Sequence, residues 1–276
     1  MAGFADLHLH TTHSDGIRST EELVRLAASL GLSTIAISDH DNIAAFAEAE
    51  PVARELGLTL IPAVELSITW NGADIHVLAY SFDPDDPAMR AKLERCRRTR
   101  SSRGEMMVER LRDIGIPIEI DRVREICGEG ALGRPHIARC LVEIGASASI
   151  EDAFDRYLSE GKQAWVEKER LDLEEAISLV RAAGGLTSLA HPTLYADTEK
   201  LLETIIPLGL DGIEVHHPDV DAIARDRYLE IVREKGLIAT GGSDDHGFEG
   251  ADTIGSVMVP VETIRPISDR WTHRNR

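Results

Sequence analysis

Short clusters of histidine and carboxylate residues are the part of this 276-residue sequence that could do chemistry. His8 and His10 lie two positions apart, and Asp244 and His246 repeat that spacing near the other end of the chain. On an extended strand, residues i and i+2 point to the same face, so each pair could reach a single ion. Imidazole and carboxylate groups are common ligands of Zn, Mn and Fe in proteins. The spacing therefore indicates a metal site.

Each cluster taken alone also has a plainer structural interpretation. Asp15 lies in a Ser-Asp-Gly turn, His76 lies in an apolar run where a buried core histidine is common, and His191 precedes a proline. Glu65 is less ordinary, because a carboxylate that follows a buried apolar strand needs a charged partner. Nine such groups fall at or just beyond predicted strand ends, which favours a site for several metal ions. They are His8, His10, Asp15, His40, Glu65, His76, His191, Asp244 and His246.

The elements that must position these residues alternate between strand and helix patterns. Apolar strand patterns cover residues 4–9, 34–37, 58–64, 75–80, 186–190, 212–215 and 237–240. Helical patterns lie between them, and the first helix begins at a capping box formed by Ser19 and Glu22. This alternation predicts β-α units with a parallel sheet. In a β/α barrel the strand ends converge on one face, which would bring the clusters together.

The middle of the chain follows a different pattern. Residues 84–169 show helical periodicity and little strand pattern, which predicts a helical insertion (cap) domain between barrel segments 1–83 and 170–276. Arg134 and His136 lie in this insert, where a guanidinium offers a bidentate fork for phosphate. Their plainer interpretation is a surface arginine and a helix cap. The basic run 95–103 predicts a solvated helix face, with a rim that attracts polyanions as the alternative.

Composition excludes several classes of protein. The net charge of −18 argues against a sequence-independent binder of duplex DNA, which would show a basic face. No apolar run reaches the ~18 to 20 residues that a membrane span needs, and we expect no membrane partner. No signal peptide is visible, and three cysteines at irregular spacings indicate reduced thiols. We therefore expect a cytoplasmic protein, and the sequence predicts no particular oligomeric state.

The motifs taken together resemble those of the PHP (polymerase and histidinol phosphatase) family. They are DLHLHTTHSDG, SDHD, the step from Val64 to Glu65, IHVLAY, GRPHIAR, AHP and GSDDHG, in the family's order and over most of the chain. The resemblance implies an α/β fold, a distorted seven-stranded β/α barrel related to amidohydrolases. It also implies three divalent metal ions, for which we expect Mn, with Fe or Zn as alternatives.

The resemblance also implies a role for each matching position. The first ion would be held by His8, His10, Glu65 and Asp244. Glu65 would bridge to a second ion that is also held by His76 and His191. The third ion would be held by Asp15, His40 and His246. We expect Glu65, Asp244 and His191 to be catalytic, and Arg134, His136 and His217 to bind substrate.

The charge of such a centre indicates the reaction. Three divalent ions outweigh three ligand carboxylates and a bridging hydroxide, and the surplus positive charge suits a phosphate dianion better than a neutral amide. The resemblance extends to phosphatases of nucleoside 3′,5′-bisphosphates, some of which trim RNA from its 5′ end. We therefore expect hydrolysis of a small phosphorylated nucleotide, or a short 5′-phosphorylated RNA, by a metal-bridging hydroxide. The alternatives are a ribose cyclic-phosphate diesterase, a histidinol phosphatase, an amidohydrolase and a non-catalytic metal-binding module.

Overall fold

Nine strands form one sheet in this computed structural model, which describes residues 3–128, 130–167, 171–248 and 254–274. The strands are β1 (Phe4–Leu9), β2 (Thr34–Ile37), β3 (Thr59–Trp70), β4 (Ala73–Tyr80), β5 (Leu171–Asp172), β6 (Leu186–Leu189), β7 (Gly212–His216), β8 (Ile238–Gly241) and β9 (Val259–Pro260). Their order is β8-β7-β6-β4-β3-β2-β1-β9, and β5 pairs with β3. Beyond β8, Asp245 forms a parallel bridge with Leu9 of β1, so the sheet closes into a barrel.

The barrel confirms the predicted fold class, with a small difference in strand count. The seven strands of four or more residues correspond to the seven predicted strands, and the two-residue strands β5 and β9 raise the number to nine. The helices are α1 (Thr20–Ser29), α2 (Ala44–Leu56), α3 (Pro87–Asp113), α4 (Ile120–Cys127), α5 (Arg134–Glu143), α6 (Ile150–Ala153), α7 (Leu173–Ala182), α8 (Thr198–Ile205), α9 (Ala222–Lys235) and α10 (Arg265–Arg274). The predicted capping box opens α1. Within the described residues, every helix is too short or too polar to cross a bilayer.

The prediction of a parallel sheet is wrong for β4, which runs antiparallel to both β3 and β6. Strand β3 also continues past the predicted end at residue 64 as far as Trp70. It turns into β4 through Asn71 and Gly72, both at positive φ, as a tight hairpin requires. Two consequences follow for the site. Glu65 lies in the middle of a strand rather than at its end, and the hairpin brings β4 alongside it.

The helices α3 to α6 lie between β4 and β5 and have a hydrophobic cluster of their own. It includes Met107 and Leu111 of α3 and Ile137 and Leu141 of α5. The barrel strands β3 and β4 contribute to a separate cluster with α7. Met89 and Leu93 at the start of α3 belong to the barrel cluster, so the two clusters meet along α3, and the helical insert at 84–169 remains a prediction.

Barrel closure depends on a close approach at Gly242. A Cβ there would lie 2.4 Å from the backbone nitrogen of His8 and 2.5 Å from its Cβ. Glycine is the residue that permits such contact between two backbones.

We predict that Gly242→Ala pushes the segment after β8 away from β1. The free energy of unfolding should fall by about 1–3 kcal/mol, the usual cost of overpacking. Affinity for Mn²⁺ should fall as well, because His8 and Asp244 flank the contact. Gly236→Ala is the control, since its Cβ would meet no atom within 4 Å, although its φ of 68° also makes alanine unfavourable. Urea unfolding and metal titration measure both effects, and wild-type Mn²⁺ affinity in Gly242→Ala would contradict this account.

Candidate metal centre

The nine predicted ligands converge at one end of the barrel, from β1, β3, β4 and the segments that follow β1, β2, β6 and β8. Donor atoms in each of three groups lie within 4.8 Å of one another. The groups are His8, His10, Glu65 and Asp244; His10, Asp15, His40 and His246; and His40, Glu65 and His76. His191 also belongs beside the last group, because its Nε2 lies 3.2 Å from His76 Nδ1.

Glu65 is at the centre of the cluster and is 1% exposed. Its two carboxylate oxygens face different sets of imidazoles. The nitrogens nearest to Oε2 belong to His8, His10 and His40, at 3.4, 3.3 and 3.0 Å. The nitrogens nearest to Oε1 belong to His76 and His191, at 2.7 and 3.1 Å. A carboxylate with this arrangement can bridge two ions.

The other two carboxylates complete two of the ligand groups. Asp244 Oδ1 lies 3.2 Å from His8 Nε2 and 3.1 Å from His10 Nε2. Asp15 Oδ1 lies 3.3 Å from His246 Nε2, and its Oδ2 lies 3.6 Å from His40 Nε2. The structure thus brings together each of the three predicted sets. It also places His10 beside the set formed by Asp15, His40 and His246.

Several donor atoms of the cluster are buried without a hydrogen bond of normal geometry. Among the described residues, these atoms include His8 Nε2, His10 Nε2, His40 Nδ1, Asp15 Oδ1 and Asp244 Oδ1. Burying polar atoms in this way is costly unless another group satisfies them. Divalent cations would do so, and imidazole and carboxylate are suitable ligands. The residues present therefore fit a metal centre.

Outer groups hold the ligand imidazoles in the required orientation. The carboxylate of Glu214 accepts hydrogen bonds from His8 Nδ1 at 2.9 Å and from the backbone N–H of His191 at 2.6 Å. His246 Nδ1 donates to the carbonyl of Asp244 at 2.8 Å. With the proton on Nδ1, the Nε2 lone pairs of His8 and His246 are left for a metal ion, as is usual for metal-bound histidine. Sequence reasoning missed Glu214, although it interrupts the apolar strand β7 much as Glu65 interrupts β3.

Tyr195 supports the ligands of the proposed second ion. Its hydroxyl accepts the backbone N–H of His76 at 2.9 Å and lies 3.3 Å from His191 Nδ1. If the Tyr195 hydroxyl accepts a hydrogen bond from Nδ1–H of His191, the other ring nitrogen, Nε2, carries a lone pair that faces Glu65. His191 and Asp244 both have positive φ, at 28° and 53°. Such backbone strain is typical of functional sites, where the surroundings hold a residue in place.

The loop that carries Asp15 is held from two sides. Thr11 and Ser14 donate hydrogen bonds to the Asp39 carboxylate, and Asp39 precedes the predicted ligand His40 in the sequence. A Cβ at Gly130 would lie 2.4 Å from the carbonyl oxygen of Ser14, so the helical segment packs directly on this loop. The position of Asp15 therefore depends on both the barrel and the helical segment.

Electrostatics among the side chains of the cluster favour protonated imidazoles at His8 and His10, whereas burial holds the pKa of His40 well below its usual value. Burial alone would lower the pKa of His8 and of His10, but the neighbouring carboxylates raise both, that of His10 to about 10. Burial would raise the pKa of Glu65, but the imidazoles of His40, His76 and His8 hold it well below the usual range. Asp15 and Asp244 behave in the same way. The buried carboxylates are therefore balanced in part by imidazolium protons at His8 and His10, which bound metal would replace.

The three predicted substrate-binding residues lie in different surroundings. The side chain of Arg134 is 28% exposed, and its guanidinium lies 5.5 Å from the centre of the Phe154 ring. His217 is buried, its Nδ1 accepts the backbone N–H of Asp219, and its Nε2 lies 3.6 Å from Asp244 Oδ2. His136 is 2% exposed and its Nδ1 accepts the N–H of Gly133 at 3.0 Å. Its present contacts make it a cap for α5, and its role in substrate binding remains a prediction.

Two compartments adjoin the metal centre and share a wall formed by Pro135 and Phe154. The arginine compartment is a cavity of about 150 Å³. It is lined by Arg100, Arg103 and Arg134 together with Asp15, His40, Ser67, Ile68, Asp74 and His76. The apolar compartment is a cavity of about 300 Å³. It is lined by Ile150, Pro218 and Phe248 together with Asp15, His217, Asp219, Ser243, Asp244 and His246.

The predicted basic run thus divides into two parts. Arg97 and Arg98 form ion pairs with Glu94 along α3, as expected of a solvated helix face. Arg100 and Arg103 instead line the arginine compartment. Their i, i+3 spacing places them on one helix face, but Arg97 has the same spacing to Arg100, so only the folded structure separates the two parts.

Comparison with known proteins places this geometry in a family. The PHP domain model matches residues 6–90. A 5′-3′ exoribonuclease of Haemophilus influenzae is 36% identical over 270 residues, which cover 96% of this chain and 98% of the relative. The chain belongs to the PHP family. A 3′,5′-nucleoside bisphosphate phosphatase of Chromobacterium violaceum is 31% identical over 95% of this chain and 94% of that relative.

A solved structure agrees with this PHP assignment. The crystal structure of an inferred metal-dependent phosphoesterase from Bifidobacterium adolescentis has 33% identity and a TM-score of 0.88, covering 96% of both chains. This PHP protein is therefore a metal-dependent phosphoesterase, as the sequence predicts. The number and identity of its ions, and the role of each residue, remain proposals.

We predict that Glu65→Gln removes most activity and weakens metal binding by more than about 100-fold. Mutations of residues that only orient metal ligands typically lower metal affinity or activity by about 10- to 100-fold. Glu65→Gln should have a larger effect, because it removes the charge of a predicted bridging ligand. Glu48→Gln is the matched control, because Glu48 is an exposed glutamate outside the cluster. Metal analysis after dialysis, with circular dichroism to check folding, measures the effect. A full metal complement and normal turnover in Glu65→Gln would remove Glu65 from the site.

We also predict that Mn²⁺ binding at pH 7 releases protons, because His8 and His10 have raised pKa values and a metal ion binds only the deprotonated ring. Affinity should accordingly rise between pH 6 and 8, about tenfold per pH unit for each proton displaced. Titration calorimetry in two buffers of different ionisation enthalpy counts the protons. Binding heats that are equal in the two buffers would contradict the protonation assigned here.

Proposed function

We propose that this protein hydrolyses nucleoside 3′,5′-bisphosphates and also acts on the 5′-phosphorylated end of short RNA, using three Mn²⁺ ions. The observation that carries the proposal is the arginine compartment beside the ligands His40 and His76. A site for one phosphate thus adjoins a second site suited to another phosphate. Two relatives support the proposal by their names, a 5′-3′ exoribonuclease and a 3′,5′-nucleoside bisphosphate phosphatase.

The arginine compartment has the chemistry to bind a phosphate that is not cleaved. Arg100 is largely buried and lies 3.4 Å from Asp41 Oδ2, while Arg134 lies 3.9 Å from Asp74 Oδ2. The Arg100 contact is longer than a strong charge-assisted hydrogen bond. A phosphate dianion in the compartment would offer the guanidinium groups bidentate contacts.

The protein's own residues divide the catalytic work. Bound divalent ions would lower the pKa of a water molecule toward neutrality and screen the phosphoryl oxygens. Glu65, Asp244 and His191 hold that charge in place as ligands. His217 accepts a backbone N–H at Nδ1, so its neutral ring carries a proton at Nε2, beside Asp244. That proton can be donated to a phosphoryl oxygen, and the protein needs no strong general base.

Chromatography of the reaction products tests the proposal directly, together with measured phosphate release for the bisphosphate and histidinol phosphate, because cleavage of RNA or of a cyclic phosphate need not free inorganic phosphate. The substrates are adenosine 3′,5′-bisphosphate, 5′-phosphorylated RNA, a ribose 1,2-cyclic phosphate and histidinol phosphate, each with and without added Mn²⁺. We expect Mn²⁺-dependent release from the bisphosphate. Faster hydrolysis of the cyclic phosphate would replace the proposal with the diesterase alternative.

We predict that Arg134→Ala lowers kcat/KM on adenosine 3′,5′-bisphosphate by roughly 10- to 100-fold, the scale of a lost charge-assisted contact of ~1.5–3 kcal/mol. Hydrolysis of p-nitrophenyl phosphate should change little, because this monophosphate places nothing in the arginine compartment. Lys at this position should rescue only in part, since an ammonium lacks the planar fork. Arg98→Ala, on the exposed part of the basic run, is the matched control. Equal losses on both substrates would mean that Arg134 serves the reacting phosphate.

A further inference from the structure

The apolar compartment lies across the Pro135 and Phe154 wall from the arginine compartment. Of the metal-centre residues, it is lined by Asp244, His246 and Asp15, whereas the arginine compartment is lined by His40, His76 and Asp15. Apart from the shared Asp15, the two compartments therefore border different residues of the metal centre. A volume of about 300 Å³ is within the range of sites that bind small organic molecules.

The aromatic ring of Phe248 is the largest apolar group that belongs to this compartment alone. The guanidinium of Arg139 lies 5.7 Å from the ring centre. The imidazole of His246 is nearly parallel to the ring, at 9° and 6.2 Å between centres. These neighbours orient the ring, while Ile150 and Pro218 add apolar surface. Aromatic and aliphatic walls of this kind favour a planar heterocycle, such as a nucleobase.

When a nucleoside bisphosphate is bound, neither of its two phosphates would lie in the apolar compartment. Its scissile phosphate would occupy the metal centre and its other phosphate the arginine compartment. Among the described residues that line the apolar compartment there is no arginine or lysine, Asp219 adds negative charge, and Arg139 reaches the compartment only through the Phe248 ring. The compartment is thus suited to a group that is attached to the scissile phosphorus and carries no phosphate of its own.

We propose that the apolar compartment binds the second nucleoside of a 5′-phosphorylated oligonucleotide, the one that stays attached to the transferred phosphoryl group. This inference rests on the proposed function. A water oxygen bonds to phosphorus, the bond from phosphorus to the 3′ oxygen of the first nucleotide breaks, and that oxygen takes a proton. The phosphoryl group remains on the 5′ oxygen of the second nucleoside, whose base packs against Phe248. In the bisphosphate the same bond breaks, and free phosphate leaves.

The test compares two substrates that differ only by that nucleoside, adenosine 3′,5′-bisphosphate (pAp) and 5′-phosphorylated diadenylate (pApA), on the Mn²⁺-loaded protein. Phe248→Leu keeps an apolar side chain but removes the ring. It should lower the ratio of kcat/KM for pApA to kcat/KM for pAp by about 5- to 150-fold, which is ~1–3 kcal/mol of lost stacking. Phe46→Leu, at a remote phenylalanine of α2, should leave the ratio unchanged.

Each other outcome overturns the inference in a distinguishable way. An unchanged ratio in Phe248→Leu, with or without an equal loss on both substrates, would mean that the ring does not bind the second nucleoside. Hydrolysis of pAp without cleavage of pApA by the wild type would refute the second-nucleoside site and leave the proposed function standing. If neither substrate is hydrolysed, the proposed function fails, and this inference fails with it.

Discussion

A carboxylate buried in the middle of a strand is the constraint on which the rest of this structure depends. Glu65 is 1% exposed and faces five imidazoles with its two oxygens. A negative charge in such a place requires opposite charge close by. The β3–β4 hairpin supplies His76, closure of the barrel brings Asp244 to β1, and β2 delivers His40. Each of these features of the fold places an imidazole or a second carboxylate beside Glu65, and these are groups that can bind metal ions.

Much of this arrangement can be predicted from the sequence. Clustered residues such as His8 and His10 are recognisable because a strand period of two places them on one face. The alternation of strands and helices predicts that distant clusters meet. The direction of β4 could not be read from its apolar pattern, which is the same for parallel and antiparallel strands. The signal that would have corrected it is the Asn71-Gly72 pair, which favours a hairpin turn.

Residues that act through other residues are harder to predict. Glu214 contacts His8 and the backbone of His191, which are distant in sequence, so only the folded barrel shows that it orients both. Arg100 and Arg103 were hidden in a run of similar charges until the packing of α3 showed which of them face the site. His136 has two interpretations that the sequence cannot separate: its Nδ1 caps a helix in the structure, and its predicted substrate contact stays a prediction.

The barrel and the helical segment contribute different properties to the enzyme. The barrel provides the ligands, whereas the helical segment provides Arg134, Pro135 and Phe154, which shape and divide the entrance. In the proposed function the metal ligands lie on the barrel, whereas the substrate compartments draw on the helical segment and, through His217 and Phe248, on the barrel as well. The contact of this segment with the Asp15 loop couples the two parts.

The central claim is that Glu65 bridges two ions of a three-ion centre. Anomalous diffraction at the manganese edge, from crystals grown with Mn²⁺, tests it most directly. The account predicts three peaks, two of them bound by separate oxygens of Glu65 and the third bound by Asp15, His40 and His246. A single peak, or ions that do not touch Glu65, would contradict it.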